Sequence, residues 1–242
     1  MARWETAGNI VNDAAVEVGL VAASNPFTST DAAFVQMCRM LTGCGRELIG
    51  VKQWQKFVST HSFNTDDEAD GVYPLPSDYL YMIDQTGWTP TNRLPMGGPL
   101  SEQDWAFIIG SEWNQYTIYV SFKEADGELW ITPNDPPPTN IDITFQYVSN
   151  NWAETSAAVA INRVTATDDT VYFPPVLITK LLKLRFLEAK GFDTTAALGQ
   201  YNTALATWLP KDKSAPVLSM SNRRLFPYLD WRNIPETNFG PP

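Results

Sequence analysis

The sequence predicts an α+β protein: a helical bundle of two N-terminal and two C-terminal helices, an inserted antiparallel β-rich part, and an extended C-terminal arm. Three observations carry that expectation. Apolar residues recur at helical spacing near both ends of the chain, the period drops to two in the middle, and the final stretch keeps its aromatics but has no period. The expected divisions are an N-terminal helical part at 1–70, a β-rich insertion at 71–160, a closing helix pair at 161–212 and an arm at 213–242. A chain of 242 residues has enough volume for a sizeable core without disulfide or metal support.

The first helix is expected from Thr6 to Leu20, with Ile10, Val11, Ala14 and Val18 on one face and Gly19 as its stop. A second follows "NPFTST", with Thr30 as N-cap and Asp31 in the first turn. Its residues Phe34, Met37, Cys38, Leu41 and Leu48 share a face, although Gly43 and Gly45 interrupt it. Six residues on one helix place Cys38 and Cys44 about 240° apart, so they cannot bridge, and free thiols suit a reducing compartment.

In "PLPSDYLYMIDQTGW", residues 74–88, the prolines are read as fixing an extended crossing between helical and β parts. Tyr79, Leu80, Met82 and Ile83 would pack it down, and Asp78 would cap the next turn. Ser101 and Asp104 mark a capping box opening a short helix through Trp105 and Ile108. "YTIYVSFK" alternates as a half-buried strand, Asp126-Gly127 makes a turn into "ELWIT", and "IDITFQYV" puts Ile141, Ile143, Phe145 and Tyr147 on one side. The three are expected to form a meander. Pro175 then suits the first turn of a helix and Gly191 its end. Between them Leu177, Leu181 and Leu184 adjoin Ile178, Leu182 and Phe186, leaving one narrow stripe with Lys180, Lys183 and Lys190. A last helix, Thr194 to Trp208, should pack antiparallel to it and stop at Pro210.

The arm, "SNRRLFPYLDWRNIPETNFGPP", mixes prolines with large apolar groups. Solvated tails rarely carry so many aromatics. Leu225, Phe226, Tyr228, Trp231 and Phe239 are therefore the expected partner-binding residues, with either a neighbouring protein or the chain's own core as the surface they meet.

Chemistry is thinly represented. His61, the only histidine, sits in polar "VSTHSFNTDDEADG" and reads as an exposed loop residue, and no ligand spacing signals zinc. "PMGGPL" lacks the spacing of a phosphate loop, and "DDEAD", residues 66–70, departs from a calcium loop. No catalytic residue, cofactor site or metal site is expected. The one enzymatic alternative is a glycan-binding or glycan-cleaving module, since Glu102, Glu112, Glu124 and Glu128 lie near Trp105, Trp113 and Trp130. The net charge of −10 argues against a grip on phosphate backbones, yet it suits a wall along which DNA slides, or simply solubility. Neither a signal peptide nor a membrane anchor is read in the chain: Trp4 and Glu5 interrupt the start, and Val176 to Ala189 is short and crossed by Lys180, Lys183 and Arg185.

The order of the parts resembles the head-to-tail adaptor proteins of short-tailed phages, the tail tubular protein A family. The residues that carry the resemblance are "NIVNDAAVEVGL", "YPLPSDYLYMIDQTGW", "ELWITPNDPP" followed by "ITFQYV", and "VYFPPVLITKLLKLRFLEAKG". Together they touch most of residues 5–209. The resemblance implies a virion protein assembled in the host cytoplasm. It further implies a homo-oligomeric ring, a dodecamer, under the portal protein, lining the DNA channel and offering its far side to the tail nozzle protein. The closing helix pair is less alanine-rich than that family suggests, and the aromatic tail is longer.

Overall fold

The computed structural model describes residues 4–111, 120–133 and 137–212. It is a mixed α+β fold with five α-helices and several antiparallel sheets. A two-residue strand, β1 (Glu5–Thr6), leads into α1 (Ala7–Glu17), whose N-cap is Thr6. Its buried face is Ala7, Ile10, Val11, Ala14 and Ala15, and Gly19 ends it in the left-handed region with φ 86°. The second helix, α2 (Ala32–Val51), is capped by Asp31 rather than Thr30: the Asp31 carboxylate accepts the Ala33 N–H at 2.8 Å.

Both glycines lie inside α2 without breaking it. Gly45 has a packing reason to be there, since a Cβ at that position would sit 2.4 Å from the Trp152 ring. Cys38 and Cys44 are free thiols, and burial pushes them up to about 11 and about 12 respectively.

The chain then enters strands earlier than expected. β2 (Val58–Asn64) falls within the stretch read as helical, and it carries His61 as a half-buried strand residue, not an exposed loop residue. The His61 ring lies 5.8 Å from Phe63 and 5.4 Å from Phe145, and burial, against the pull of Asp78, lowers its pKa. Next come β3 (Val72–Pro74), β4 (Tyr79–Met82), β5 (Trp88–Thr89) and β6 (Leu94–Pro95). Ser101 caps α3 (Glu102–Gly110), its Oγ accepting the Asp104 N–H, but the reciprocal half of the expected capping box is replaced by a bond from the Ser101 hydroxyl to the Asp104 carboxylate at 2.7 Å.

The tight hairpin is also present. β7 (Ser121–Ala125) turns through Asp126 and Gly127, both at positive φ, into β8 (Glu128–Thr132). The start of the expected strand, Tyr116 to Tyr119, lies outside the described residues.

The meander is corrected at its third strand. β9 (Asp142–Ser149) leaves the hairpin, which pairs instead with β3, and runs antiparallel to β2 over seven residue pairs from Val58↔Val148 to Asn64↔Asp142. β2 offers β9 a ladder of seven residue pairs, longer than the five that join β7 and β8. β9 also pairs with β4 and β5.

β4 occupies the "LPSDYLYM" stretch. Tyr79 and Met82 pack on the β core and Ile83 on the helical core, while Leu80 stays 40% exposed at an irregularity in the β4–β9 register between Tyr79 and Tyr81. Asp78 does not cap a turn. Its carboxylate accepts the Tyr147 hydroxyl at 2.9 Å and the Ser149 hydroxyl at 2.6 Å, which pins this stretch to β9.

Three short strands, β10 (Ala153–Glu154), β11 (Ala160–Ile161) and β12 (Thr170–Val171), join β1 in a small sheet. α4 (Pro175–Lys190) starts on Pro175 and ends at Gly191, φ 71°. α5 (Thr195–Trp208) follows and packs on it. The nearly all-round apolar surface of α4 is covered by α1, α2 and α5 of the same chain. Of its lysine stripe, Lys180 and Lys183 both reach Glu17 on α1, while Lys190 stays exposed beside the Phe186 ring.

The buried side chains divide into two clusters. One gathers α1, α2 and α4 with Trp54, Trp152 and Phe173, and the other gathers Tyr73, Phe122, Leu129, Ile131, Ile143, Phe145 and Tyr147 from the strands.

Candidate functional site

A groove of about 830 Å³ opens where the start of α4, the outer side of α1 and the last turn of α5 meet. Local chemistry explains its walls. Pro174 and Pro175 stiffen the entry to α4 and bring no N–H to satisfy, so the chain passes there as an apolar rib. Val16 on α1 and Val176 on α4, 57% and 52% exposed, face solvent from its sides. Trp4, Tyr172 and Trp208 add aromatic surface, and Trp4 meets Tyr172 edge to face at 5.5 Å.

Cations lie over these rings: Lys56 Nζ is 4.2 Å from the Tyr172 ring centre, and Lys211 Nζ is 4.6 Å from that of Trp208. The Tyr172 hydroxyl donates to Glu154 at 2.6 Å; burial first, and then this carboxylate, push it up to about 12.

The acids of the groove differ in their pairing. Glu17 is clamped by Lys180 and by Lys183 at 3.2 Å. Burial opposes its charge, but the lysine hydrogen bonds outweigh burial and hold the carboxyl below its ordinary range. Asp212 pairs with Lys52 at 3.3 Å. Glu5 and Asp13 line the same groove and form no ion pair among the described residues. An apolar floor with aromatic walls and a rim of mixed charge suits the holding of an extended, proline-bearing segment.

The expected partner-binding residues, Leu225, Phe226, Tyr228, Trp231 and Phe239, lie outside the described residues. The described chain ends at Asp212, on the wall of the groove. The groove itself was missed in the sequence because its parts come from five separate segments. The advance signal for it is the "FPP" at 173–175 among aromatics.

Among the described residues of the carboxylate and tryptophan set, Trp105 and Trp130 face a lysine. Lys123, 9% exposed, lies 5.1 Å from the Trp105 ring centre and 5.2 Å from that of Trp130, and it pairs with Glu102 at 3.1 Å. Glu124 follows Lys123 on β7 and therefore points to the opposite face of the sheet from the Lys123–Glu102 pair. Burial raises the Glu124 pKa. Glu128 sits across from Ala125 at the hairpin end, and Glu112 and Trp113 lie outside the described residues.

The acids at 66–70 serve local structure. Asp67 completes a capping box with Asn64, Asp66 accepts the Asn140 N–H, and Asp70 accepts the Val72 N–H. Among the described residues no group of three or more His, Cys, Asp or Glu is arranged to hold a metal, and no helix is long and apolar enough to cross a membrane. No family model matches the chain, and no curated protein sequence matches it either.

Proposed function

We propose that this chain is a structural virion protein, a head-to-tail adaptor whose copies close a ring between the portal and the tail nozzle and line the channel for DNA. In this reading α1, α2, α4 and α5 form the ring body, the strands between them are an inserted, projecting part, and residues 213–242 are the docking arm. The supporting observation is the apolar, aromatic-walled groove at the end of the helical body, beside the point where the arm begins.

The order of helices and strands along the chain agrees with the resemblance, and the net charge of −10 fits a channel wall that repels the duplex it passes. Support from surplus apolar surface is smaller than the sequence alone suggested, because α4, Trp54, Trp105 and Trp152 are used inside the chain. The glycan reading draws less support still, since Lys123 lies over both tryptophan rings that would have to stack on sugar.

The deciding experiment mixes the full chain with purified portal rings of the virion and images the product. Closed rings of the chain, twelve-fold symmetric and seated on the portal, are expected, and removal of residues 215–242 should abolish docking. Portal rings that stay bare of the full-length chain, or that still take up the truncated chain normally, would reject the reading.

A further inference from the structure

The groove has a well-matched occupant within the sequence. Residues 225–231, "LFPYLDW", carry Leu225, Phe226, Tyr228 and Trp231 around a central proline, and aromatic-walled grooves favour such pre-extended chains. Charge does not select this segment, because the rim carries Lys56 and Lys211 as well as Glu5 and Asp13 without ion-pair partners among the described residues; the match lies in the apolar floor and the aromatic walls. At about 830 Å³ the groove falls in the range of binding clefts, about 300–1,000 Å³.

We propose that in the unassembled chain residues 225–231 lie in this groove of the same molecule, so that the arm is latched on its own helical body.

Tethering decides between the chain's own arm and that of a second copy. Asp212 lines the groove, and residues 213–224 form a short span whose end-to-end distance is roughly 20 Å for a flexible chain. Such a tether sets an effective concentration in the millimolar range, above that of a second copy in dilute solution. Each aromatic that leaves water for the groove adds to the latch. The proposal does not depend on the ring reading, and its test contains no portal.

The test is limited trypsin digestion of the full-length chain, with cleavage followed by mass spectrometry. Cleavage after Arg224 and Arg232 should run at least ~10-fold slower than after Lys213, and the ratio should not change between dilute and concentrated protein, as intramolecular contact requires. Val176→Arg places a charge in the groove wall at an exposed position, and it should bring the three rates to parity while the melting temperature falls by only the few degrees that losing a ~10-fold latch implies. Phe226→Asp approaches from the arm side and should do the same, which keeps the test valid if Val176→Arg disturbs α4. Equal rates in the unmodified chain would overturn the proposal, as would protection that survives both substitutions. Protection that is lost on dilution would assign the groove to a second copy and overturn it as well. Any of these results leaves the portal experiment to be decided separately.

Discussion

Two glycines two residues apart on α2, and so on nearly opposite sides of it, illustrate how little a residue type says without its neighbour. Gly43 is exposed with open space around it, whereas Gly45 lies against the Trp152 ring. Gly43→Ala should therefore stabilise the fold by about 0.5–1 kcal/mol through backbone entropy. Gly45→Ala should destabilise it by about 1–3 kcal/mol, because the ring must move out of a packed core. Urea unfolding midpoints of the two variants check both signs.

Tyrosines give a second expectation. Tyr73, Tyr147 and Tyr172 are each pushed up to about 12, burial being the largest cause, with nearby carboxylates adding to it. A raised folded-state value contributes stability below the ordinary value of about 10, and that contribution is lost as pH rises from about 10 toward 12. Absorbance at 295 nm should thus show a late-titrating group of tyrosines, accompanied by a falling melting temperature over that window. Asp78 belongs to the same scale. Its hydrogen bonds to Tyr147 and Ser149 were not readable from "LPSDYLYM", because the partners lie far along the chain on β9.

Single elements were legible where local chemistry decides them. The helix start near Thr6, the Ser101 N-cap, the Pro175 start and Gly191 end of α4, and the Asp126-Gly127 turn are all set within a few residues. β2 was missed because "VSTHSFN" is polar on one side and half-buried on the other, so its strand character depends on the ladder to β9. The third meander strand was misassigned for the same reason, since pairing partners are a tertiary choice. The groove shares this limit, its walls being assembled from distant segments.

The lysine stripe of α4 yields a test at this scale. Glu17 is held below its ordinary pKa by Lys180 and Lys183 despite burial. A depressed folded-state value gives stability present above about pH 4.5 and lost as pH falls through the folded value. Glu17→Gln should flatten the acid side of the melting-temperature profile and leave the alkaline side unchanged. A variant with the same acid slope as the parent would show that α1 and α4 are not coupled through this pair.

Across the whole molecule the two cores are joined through β9. Ile143, Phe145 and Tyr147 belong to the strand core, while the adjacent Val148 is buried in the helical core and Trp152 follows a few residues later. The cores should therefore melt in one transition, with calorimetric and van't Hoff enthalpies that agree within roughly 10%. Two resolved peaks would mean that β9 does not bind them into one cooperative unit.

The register of β2 and β9 also has a mechanical consequence. Val58 and Val148 face each other at the end nearest the helices, so both backbones leave the helical body side by side and run outward together. A pull that draws the tip of this sheet away from the helices is shared by two parallel covalent tethers. Tension then falls on peptide bonds while the hydrogen bonds between the strands stay unloaded, and the region can transmit force without unzipping.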